Sequence, residues 1–360
     1  MAHIRLENVT KTFGAHKALE GLDLEIADGE FFVLLGPTGA GKTTTLRLIA
    51  GLEKPTSGSI SIDHEDVLGW TAAQRDVALV FQHYSLYPRY TVRQNLEFPL
   101  RSRVRRYAQD DIDKRVARAA KTLRIEHLLD RKTDRLSGGE MQRVSIGRAI
   151  VREPRVFLMD EPLSNLDAKL REALRSELKD LQMKLGATFL FVTHDQIEAM
   201  SMGDKVGVLN QGRIIQIAKP QEIYSRPRDL FVAGFVGSPA MNLVPGEVRD
   251  GRLSALSGQL MFPAADVGGD GLQRHSGAVT VGIRSEDIRI GPGEAAEARV
   301  HDVENLGVEK IVTLRAGDHL LRATAPAVLD LPIDSPVRFG WNPRKLHVFN
   351  PTTGANFAFG

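Results

Sequence analysis

The chain has 360 residues, 42% of them hydrophobic and 26% charged, which is typical of a globular protein and not of a disordered or membrane-embedded one, and its length leaves room for about two folded domains. Its formal net charge of +2 is too small to indicate a nucleic-acid partner, and we expect none. The absence of cysteine excludes disulfides and thiolate metal sites.

Membrane insertion of the chain itself is not predicted. The longest apolar runs, FFVLLG and TFLFVT, have the length of strands and fall well short of the roughly 18 residues that a membrane helix needs. The first residues, MAHIRLENVTKTFG, lack the charged start and apolar stretch of a secretory signal. We therefore expect any role at a membrane to depend on a partner.

The chain from Ile4 to about Gly234 predicts strands that alternate with amphipathic helices. FFVLLG is a continuous apolar strand that leads into a glycine-rich turn and then into the helical pattern TTTLRLIAGL. RVFLMD and TFLFVTHD are further apolar runs that end in acidic or polar residues, as the strands of a buried parallel sheet do at a functional edge. These patterns predict an α/β core.

The turn after the first of these strands, GPTGAGKT, matches the pattern G-x-x-x-x-G-K-[ST] of a phosphate-binding loop. Such a loop holds phosphates with backbone N–H groups, and the helix that follows points its positive end at them. Lys42 would reach the β- and γ-phosphates of ATP, and the Thr43 hydroxyl would bind Mg²⁺. The alternative is an incidental glycine turn. We expect nucleotide contacts from Gly36, Pro37, Thr38, Gly39, Ala40, Gly41, Lys42, Thr43 and Thr44.

The segment from about Thr91 to Asp134 is rich in Arg, Lys, Asp and Ala at helical spacing, which predicts a helical subdomain. With the helix that follows, this subdomain spans about residues 91–150. Its stretch RSRVRRYAQDDIDKRVARAAK is either a nucleic-acid patch or a solvated helix face. Charges of both signs at helical spacing favour the solvated face.

A second anion site is predicted at LSGGE, where Ser137, Gly138 and Gly139 precede a helical pattern. Their hydroxyl and backbone amides would lie at the positive end of a helix, although an N-cap with flexible glycines explains the same residues. A chain with one phosphate loop needs a second half-site only if two copies face each other. In such a head-to-tail pair, the LSGGE of one subunit caps the γ-phosphate of an ATP held by the other subunit.

Polar side chains that end the apolar strands predict the remaining parts of a hydrolytic site. Asp160 would anchor Mg²⁺, usually through water, and Glu161 would polarise the attacking water, unless the two simply cap the next helix. Gln82 in LVFQHYS and His194 in FLFVTHD can hydrogen-bond a γ-phosphate or its water, or can be ordinary polar residues at strand ends. We predict Glu161, His194, Lys42 and Gln82 as catalytic, and Gln82 also as a metal ligand.

The pattern changes after FVAGFVGSPAMN. Short alternating runs such as AVTVGIRSEDIRI and PVRFGWNPRKLHVF, separated by AGDH, GPG and NP turns, predict a small β-barrel-like domain. We place the domain boundary between residues 235 and 236, which divides the chain into 1–235 and 236–360.

In this order, the elements resemble the ATP-binding-cassette (ABC) ATPases along essentially the whole chain. GPTGAGKTT resembles their phosphate loop, LSGGEMQR their signature, VFLMDE their Walker B strand and SNLD the loop that communicates across the dimer. The resemblance implies that Gln82 is the Q-loop glutamine, that His194 is the switch histidine and that Asp167, the last residue of SNLD, lies at the nucleotide.

Two positions depart from the usual pattern of this family. Phe13 in KTFG stands where the family stacks an aromatic ring, more commonly tyrosine, on adenine. The change keeps the π-face, so we expect ATP binding to survive. Glu140 stands where glutamine is usual in the signature, while the serine and both glycines are retained.

FVGSPAMNLV and GIRSEDI narrow the resemblance to the maltose-importer type of ATPase, although a serine stands where proline is common in the second motif. The resemblance implies a C-terminal all-β domain of the oligonucleotide/oligosaccharide-binding (OB-like, TOBE) type that contributes to dimerisation and regulation. It also implies a homodimer, or a pair with a paralogue, under two integral membrane permease subunits and an extracytoplasmic solute-binding protein. The chain would then lie peripherally on the cytoplasmic face of a bacterial-type inner membrane.

The contact with the permeases is expected at HYSLYPRYTVRQNLEF, just after Gln82. A loop that senses the γ-phosphate and continues into the aromatic stretch from Tyr84 to Tyr90 can transmit dimer closure to a docked helix. The alternative is an apolar loop that packs on its own helical subdomain.

The sequence thus predicts an α/β P-loop NTPase of the ABC type that hydrolyses MgATP to drive uptake of a sugar or sugar-like solute. Polyols, glycerol phosphates, iron and polyamines remain alternative cargoes. A soluble cassette protein of translation or DNA repair is a weaker alternative, because the tandem cassettes or coiled-coil insertion of such proteins are absent. A P-loop kinase or GTPase would lack LSGGE, and a structural module without turnover would not need every catalytic position filled.

Overall fold

The computed structural model describes residues 2–101, 107–267 and 269–359. It divides into two compact units, Met1–Pro220 and Gln221–Gly360. This division by contacts falls earlier in the chain than the predicted domain boundary after residue 235, which stays a prediction. Residues 102–106, part of the basic stretch considered above, lie outside the described residues.

The first unit is built mainly from strands and six helices of regular length in its described part. They are β1 (Ile4–Phe13), β2 (His16–Ile26), β3 (Phe31–Leu35), α1 (Lys42–Ala50), β4 (Ser57–Ile62), β5 (Glu65–Asp66), β6 (Val77–Val80), α2 (Val92–Glu97), α3 (Gln109–Leu123), α4 (Gly138–Ile150), β7 (Val156–Asp160), α5 (Ala168–Leu185), β8 (Thr188–Thr193), α6 (Gln196–Met202), β9 (Lys205–Asn210) and β10 (Arg213–Ala218).

A mixed sheet forms the centre of this unit. In the described part of the chain its strand order is β10-β9-β3-β8-β7-β6, and all neighbours are parallel except β9 and β10. Every residue of β3 and β8 is buried, as expected for strands covered on both faces. The predicted α/β core is confirmed, and the carboxyl ends of β3, β7 and β8 meet at one edge of the sheet.

A second, antiparallel sheet has the order β2-β1-β4-β5 in the described residues. The inward-facing Ile4 and Leu6 of β1 are buried while Arg5 between them is exposed, which is the alternation of a sheet with one covered face. The hairpin of β1 and β2 places Phe13 directly opposite His16.

The three helices α2, α3 and α4 pack on one another in the predicted helical segment. A Cβ built on Gly147 of α4 would lie 2.7 Å from a methyl of Leu96 and 3.1 Å from one of Leu123, so the helices meet at this glycine. On α3, Ile112 and Val116 are buried. The charged side chains of α3 face outward, and Arg115 pairs with a glutamate after α4 at 2.9 Å.

The second unit is largely β-structure. Its elements are α7 (Pro220–Ser225), α8 (Leu230–Phe235), β11 (Asn242–Arg249), β12 (Arg252–Ala255), β13 (Leu260–Pro263), α9 (Gly269–Gln273), β14 (Gly277–Ile283), β15 (Ile288–Ile290), β16 (Ala296–Asn305), β17 (Glu309–Ala316), β18 (His319–Pro326), β19 (Pro336–Trp341) and β20 (His347–Phe349).

Two antiparallel sheets form this unit in the part that the structure describes, with the orders β13-β12-β11-β14-β20 and β15-β19-β16-β17-β18. Inward-facing residues of both sheets, among them Val281, Leu314 and Phe339, join in one buried core. This barrel-like arrangement is the predicted all-β C-terminal architecture. Across the described helices of the whole chain, none has the length and apolarity that a membrane crossing requires.

Candidate functional site

The predicted phosphate loop connects β3 to α1 at the carboxyl edge of the central sheet. The ammonium of Lys42 is 5% exposed and donates to the carbonyl oxygens of Gly36 and Pro37 at 2.9 and 3.0 Å. These bonds curl the loop around the lysine. The helix begins at Lys42 after Gly41, which has no side chain that could cap it, so the first backbone N–H groups of α1 remain open to an anion.

Glycine is required in this loop for steric reasons. Gly41 has φ of +108°, and a Cβ built there would lie 2.7 Å from the carbonyl oxygen of Ala18 and 2.6 Å from a methyl of Leu19. Any larger residue would push the loop away from β2. The local sequence G-A-G-K is therefore a condition for bringing backbone amides close to a phosphate.

Thr43 and Asp160 meet directly below the loop. The Thr43 hydroxyl donates to Oδ1 of Asp160 at 3.0 Å, which ties the start of α1 to the end of β7. Burial raises the pKa of Asp160, the Thr43 hydrogen bond lowers it, and the nearby charge of Glu161 raises it. A hydroxyl and a carboxylate side by side are the oxygen ligands that Mg²⁺ accepts, so these residues fit the ion.

The carboxylate of Glu161 lies between the side chains of His194 and Lys42. Its Oε2 is 2.8 Å from Nδ1 of His194, and its Oε1 is 3.4 Å from the ammonium of Lys42. The residue has φ of +44°, a left-handed conformation that is uncommon outside glycine and is often found at functional sites. The backbone N–H donates to the carbonyl of Val192 on the neighbouring strand, which fixes this turn.

Gln82 reaches the same place from the end of β6. Its side-chain amide lies 3.4 Å from Oγ of Ser164, and its backbone carbonyl accepts from the side chain of Asn165 at 3.1 Å. Ser164 in turn donates to the carbonyl of Glu161 at 2.9 Å. The SNLD segment thus links the predicted Q-loop glutamine to the predicted base.

A cavity of about 520 Å³ opens over the loop, large enough for a nucleotide. Phe13 lies at its edge, 45% exposed, with the ammonium of Lys11 4.5 Å from its ring centroid. Two lining residues, His16 and Ala18, were not predicted. The hairpin sequence FGAH could have indicated His16, because a two-residue turn places His16 opposite Phe13. The lining also includes Thr38, Gly39, Gly41, Lys42, Thr43, Thr44, Gln82, Glu161 and His194.

The second predicted anion site, at LSGGE, does not line this cavity. Ser137 is the N-cap of α4 and forms a capping box with Glu140: the Ser137 N–H and hydroxyl donate to Oε2 of Glu140 at 2.7 and 3.0 Å. These hydrogen bonds hold the pKa of Glu140 below its usual range. Gly138 and Gly139 form the first turn of the helix, and a Cβ on Gly139 would lie 2.5 Å from a methyl of Leu170.

Asp167 is likewise outside the cavity lining. Its side chain accepts from the backbone N–H of Leu170 at 3.0 Å and caps α5. Within one chain, therefore, the structure brings the phosphate loop, Gln82, Asp160, Glu161 and His194 together. It leaves the LSGGE segment and Asp167 on other surfaces, and the expected contacts of Ser137, Gly138, Gly139 and Asp167 with nucleotide stay predictions.

The loop after Gln82 carries an aromatic cluster. The ring of Tyr87 lies 4.3 Å from that of Phe98 and 5.3 Å from that of Tyr90, and the guanidinium of Arg148 lies 4.8 Å from its centroid. Tyr87 is half-buried on the helical segment, while Phe98 and Tyr90 are exposed. A cavity of about 230 Å³ beside this cluster is also lined by Tyr84. Both predicted roles of the loop, packing and docking, are compatible with this arrangement.

Comparison with known families matches three models to the sequence. Residues 19–164 match the ABC transporter family, residues 237–288 the MalK OB fold domain and residues 281–349 the TOBE domain. The first match contains the phosphate loop, the LSGGE segment and the end of β7. The other two cover the all-β unit, so the predicted OB-like, TOBE-type C-terminal architecture is confirmed.

Relatives match along nearly the whole length. A sulfoquinovosyl glycerol transport ATP-binding protein of Agrobacterium fabrum is 45% identical over 98% of this chain and 99% of that protein. An sn-glycerol-3-phosphate import ATP-binding protein of Ruegeria pomeroyi is 44% identical over 99% of this chain and 100% of that protein. A trehalose/maltose import ATP-binding protein of Thermococcus litoralis is 46% identical over 98% of this chain and 99% of that protein.

A solved structure supports the fold of the first unit. The dimeric structure of a bacterial ABC transporter cassette is 33% identical to this chain, covers 60% of it and 98% of its own chain, and superposes with a TM-score of 0.55.

Proposed function

The chain belongs to the ABC transporter family as an ATP-hydrolysing subunit, and on that premise we propose that it drives the uptake of a sugar or sugar-like solute. The relatives named above are ATP-binding proteins for the transport of sulfoquinovosyl glycerol and for the import of sn-glycerol-3-phosphate or trehalose/maltose, which supports this class of cargo without selecting one member. The observation that carries the proposal is the convergence of Lys42, Glu161 and His194 on one cavity beside the phosphate loop.

The chemistry is in-line attack of water on the γ-phosphate of ATP. The loop amides and Lys42 position the phosphates, and the ring of Phe13 stacks on the adenine. Glu161 polarises the attacking water as general base, which requires its carboxylate to turn from Lys42 towards the γ-phosphate. His194 and Gln82 hydrogen-bond the γ-phosphate or that water.

Magnesium would be held by the Thr43 hydroxyl and by Asp160, with Gln82 as a further oxygen ligand, and it would neutralise charge on the phosphates. The hydrogen bond between Thr43 and Asp160 keeps the two oxygen ligands together before ATP binds. Burial raises the pKa of Asp160, and the hydrogen bond from Thr43 and the charges of Arg47 and Lys42 offset this only in part.

The site of one chain is incomplete, because the LSGGE segment lies away from its own cavity. We infer a head-to-tail dimer in which Ser137, Gly138, Gly139 and Asp167 of one copy complete the site of the other. Backbone N–H groups at the start of α4 would then face the γ-phosphate, where the helix dipole favours negative charge. Hydrolysis removes that charge and weakens the interface.

The remaining partners follow from the same premise. Two integral membrane permease subunits would dock beside the aromatic cluster of Tyr84 to Tyr90, and an extracytoplasmic binding protein would deliver the solute. The chain would lie peripherally on the cytoplasmic face of the cell membrane. Closure of the dimer moves Gln82, and the covalently adjacent loop passes that movement to the docked helix.

Co-purification from native membranes in mild detergent tests this function. We expect two polytopic membrane proteins and a solute-binding protein to accompany the chain. The binding protein would then be titrated with maltose, trehalose and glycerol 3-phosphate to identify the cargo. Ribosomes, nucleic acid or no stable partner would contradict the transport function while leaving ATP hydrolysis intact.

A further inference from the structure

A second large cavity lies in the all-β unit, remote in sequence from the phosphate loop, the LSGGE segment and the SNLD segment. It measures about 830 Å³, within the range of small-molecule sites, and runs along β16 and β19. The apolar part of its lining, called the floor below, includes Ile290, Ala298, Leu329, Leu331 and Val337. Its edges carry arginines, so the groove combines an apolar surface with positive charge.

Two of these arginines face each other across neighbouring strands. Arg299 on β16 is directly opposite Arg315 on β17, and both are exposed. Directly opposed residues of an antiparallel pair lie on the same face with their Cβ atoms about 5 Å apart, and like charges in that position are destabilising. The folded unit therefore carries a repulsion between the two guanidinium groups, and an anion bound between them would remove this repulsion.

Neither guanidinium is neutralised within the part of the chain that the structure describes. Arg299 donates to the carbonyl oxygen of Asp334 at 2.9 Å, and Arg315 lies 3.3 Å from Nδ1 of His301. These neighbours orient the two side chains without supplying a negative charge. Their remaining N–H donors are available to a ligand.

The third arginine of the groove is different. Arg338 donates to the carbonyl oxygens of Glu294 and Ala295 at 2.7 and 3.0 Å, and it lies 3.8 Å from the carboxylate of Glu297. Its charge is therefore balanced by a residue of the groove itself. The uncompensated positive charge is confined to the Arg299 and Arg315 pair.

We propose that this groove binds a small amphipathic anion, with a carboxylate or phosphate head between Arg299 and Arg315 and an apolar body on the floor beside Leu329 and Val337. Two planar guanidinium groups can each hold such a head through paired hydrogen bonds. The apolar floor selects a ligand with a hydrocarbon part over an inorganic ion. The site gives the all-β unit a ligand of its own, distinct from ATP.

Calorimetric titration of the full chain with octanoate tests the proposal. Acetate serves as the head without an apolar body, and 1-octanol as the body without a charge. We expect octanoate to bind and each comparator to bind about tenfold more weakly or not at all, since both halves of the ligand contribute. No nucleotide is present, so the result is independent of ATP hydrolysis.

Substitutions locate the site. Arg299→Gln and Arg315→Gln should each weaken octanoate binding about tenfold, while Arg315→Lys, which keeps the charge but loses the planar fork, should lose less. Arg249→Gln is the matched control, because Arg249 is also directly opposite an arginine, Arg252, but does not line the groove. Its affinity for octanoate should equal that of the parent chain.

Four results would overturn the proposal. The first is no octanoate binding, the second is equal binding of 1-octanol, and the third is equal octanoate binding by the Arg299 and Arg315 variants. The fourth concerns a second copy of the chain as occupant. If sedimentation without nucleotide shows a dimer that Arg315→Gln dissociates, the groove is a self-association surface. Circular dichroism of each variant confirms that lost binding is not lost folding.

Discussion

The carboxylate of Glu161 lies 2.8 Å from Nδ1 of His194, and the two side chains come from the ends of the neighbouring strands β7 and β8. With the carboxylate as acceptor, Nδ1 is the donor of this hydrogen bond, so Nε2 is left for another partner. The same carboxylate is 3.4 Å from Lys42 through its other oxygen. The predicted base is therefore held by two partners that must release it before it can polarise water.

Replacing the predicted base should separate ATP binding from turnover. We expect Glu161→Gln to lower hydrolysis by about 10²- to 10⁴-fold, because the amide cannot accept a proton, while ATP still binds. The variant should accumulate as an ATP-bound dimer, since the charge that holds the interface is not removed. Phosphate release and size-exclusion chromatography with ATP measure the two effects. A variant that stays monomeric with ATP would contradict the facing-pair arrangement.

Complementation between two inactive variants tests whether Ser137 acts on the partner's nucleotide. Lys42→Ala removes the loop ammonium, and Ser137→Arg blocks the start of α4, so each variant alone should be inactive. In an equimolar mixture about half of the dimers are mixed, and each of these has one site with an intact Lys42 and an intact Ser137. We expect hydrolysis to return on mixing. A mixture as inactive as its components would indicate that both residues serve the same chain's nucleotide.

Tyr87 offers a test of the docking loop. Tyr87→Asp replaces a ring that lies 4.3 Å from the ring of Phe98 with a charged side chain, and it should abolish transport in the reconstituted system because an apolar docking surface is lost. ATP binding, measured by a fluorescent nucleotide, should be unchanged. Tyr87→Phe keeps the ring and is the control that should retain transport. Normal transport by Tyr87→Asp would leave packing on the helical segment as the role of this residue.

The all-β unit should lose stability in mild acid because of His347. Burial lowers the pKa of His347 to about 4 from 6.5, with Arg284 and Lys345 adding to the effect. The unfolded chain therefore binds a proton that the folded chain does not, and stability falls as the pH drops from about 6.5 towards 4. His347→Gln should remove roughly 1–3 kcal/mol of that loss.

Urea unfolding at pH 7 and pH 4.5 measures this difference. The sequence has two tryptophans, of which Trp341 is buried in the all-β unit. A Trp70→Phe background makes Trp341 the sole fluorescence reporter. Identical pH dependence with and without His347 would show that another group carries the acid sensitivity.

The sequence alone determined the parts of the site that depend on short-range order along the chain. An apolar strand, a glycine loop and a helix follow one another in GPTGAGKT and its flanks, so the cradle around Lys42 is built locally. Asp160 and His194 each end a buried apolar strand, and parallel strands bring their carboxyl ends to one edge. Their meeting could be predicted, although their roles in hydrolysis stay predictions.

Only the tertiary structure decided which partners those residues have. The Ser137 hydroxyl donates a hydrogen bond to Glu140, and Glu161 contacts both Lys42 and His194. These contacts depend on side-chain geometry at a scale of tenths of an ångström. The opposition of Arg299 to Arg315 depends on strand register, which a bulge shifts just beyond Arg299. A one-residue slip would have turned one of the two away from the other. The hydrophobic periodicity of the sequence determines which helices and strands form, whereas strand register and side-chain packing determine which side chains face one another.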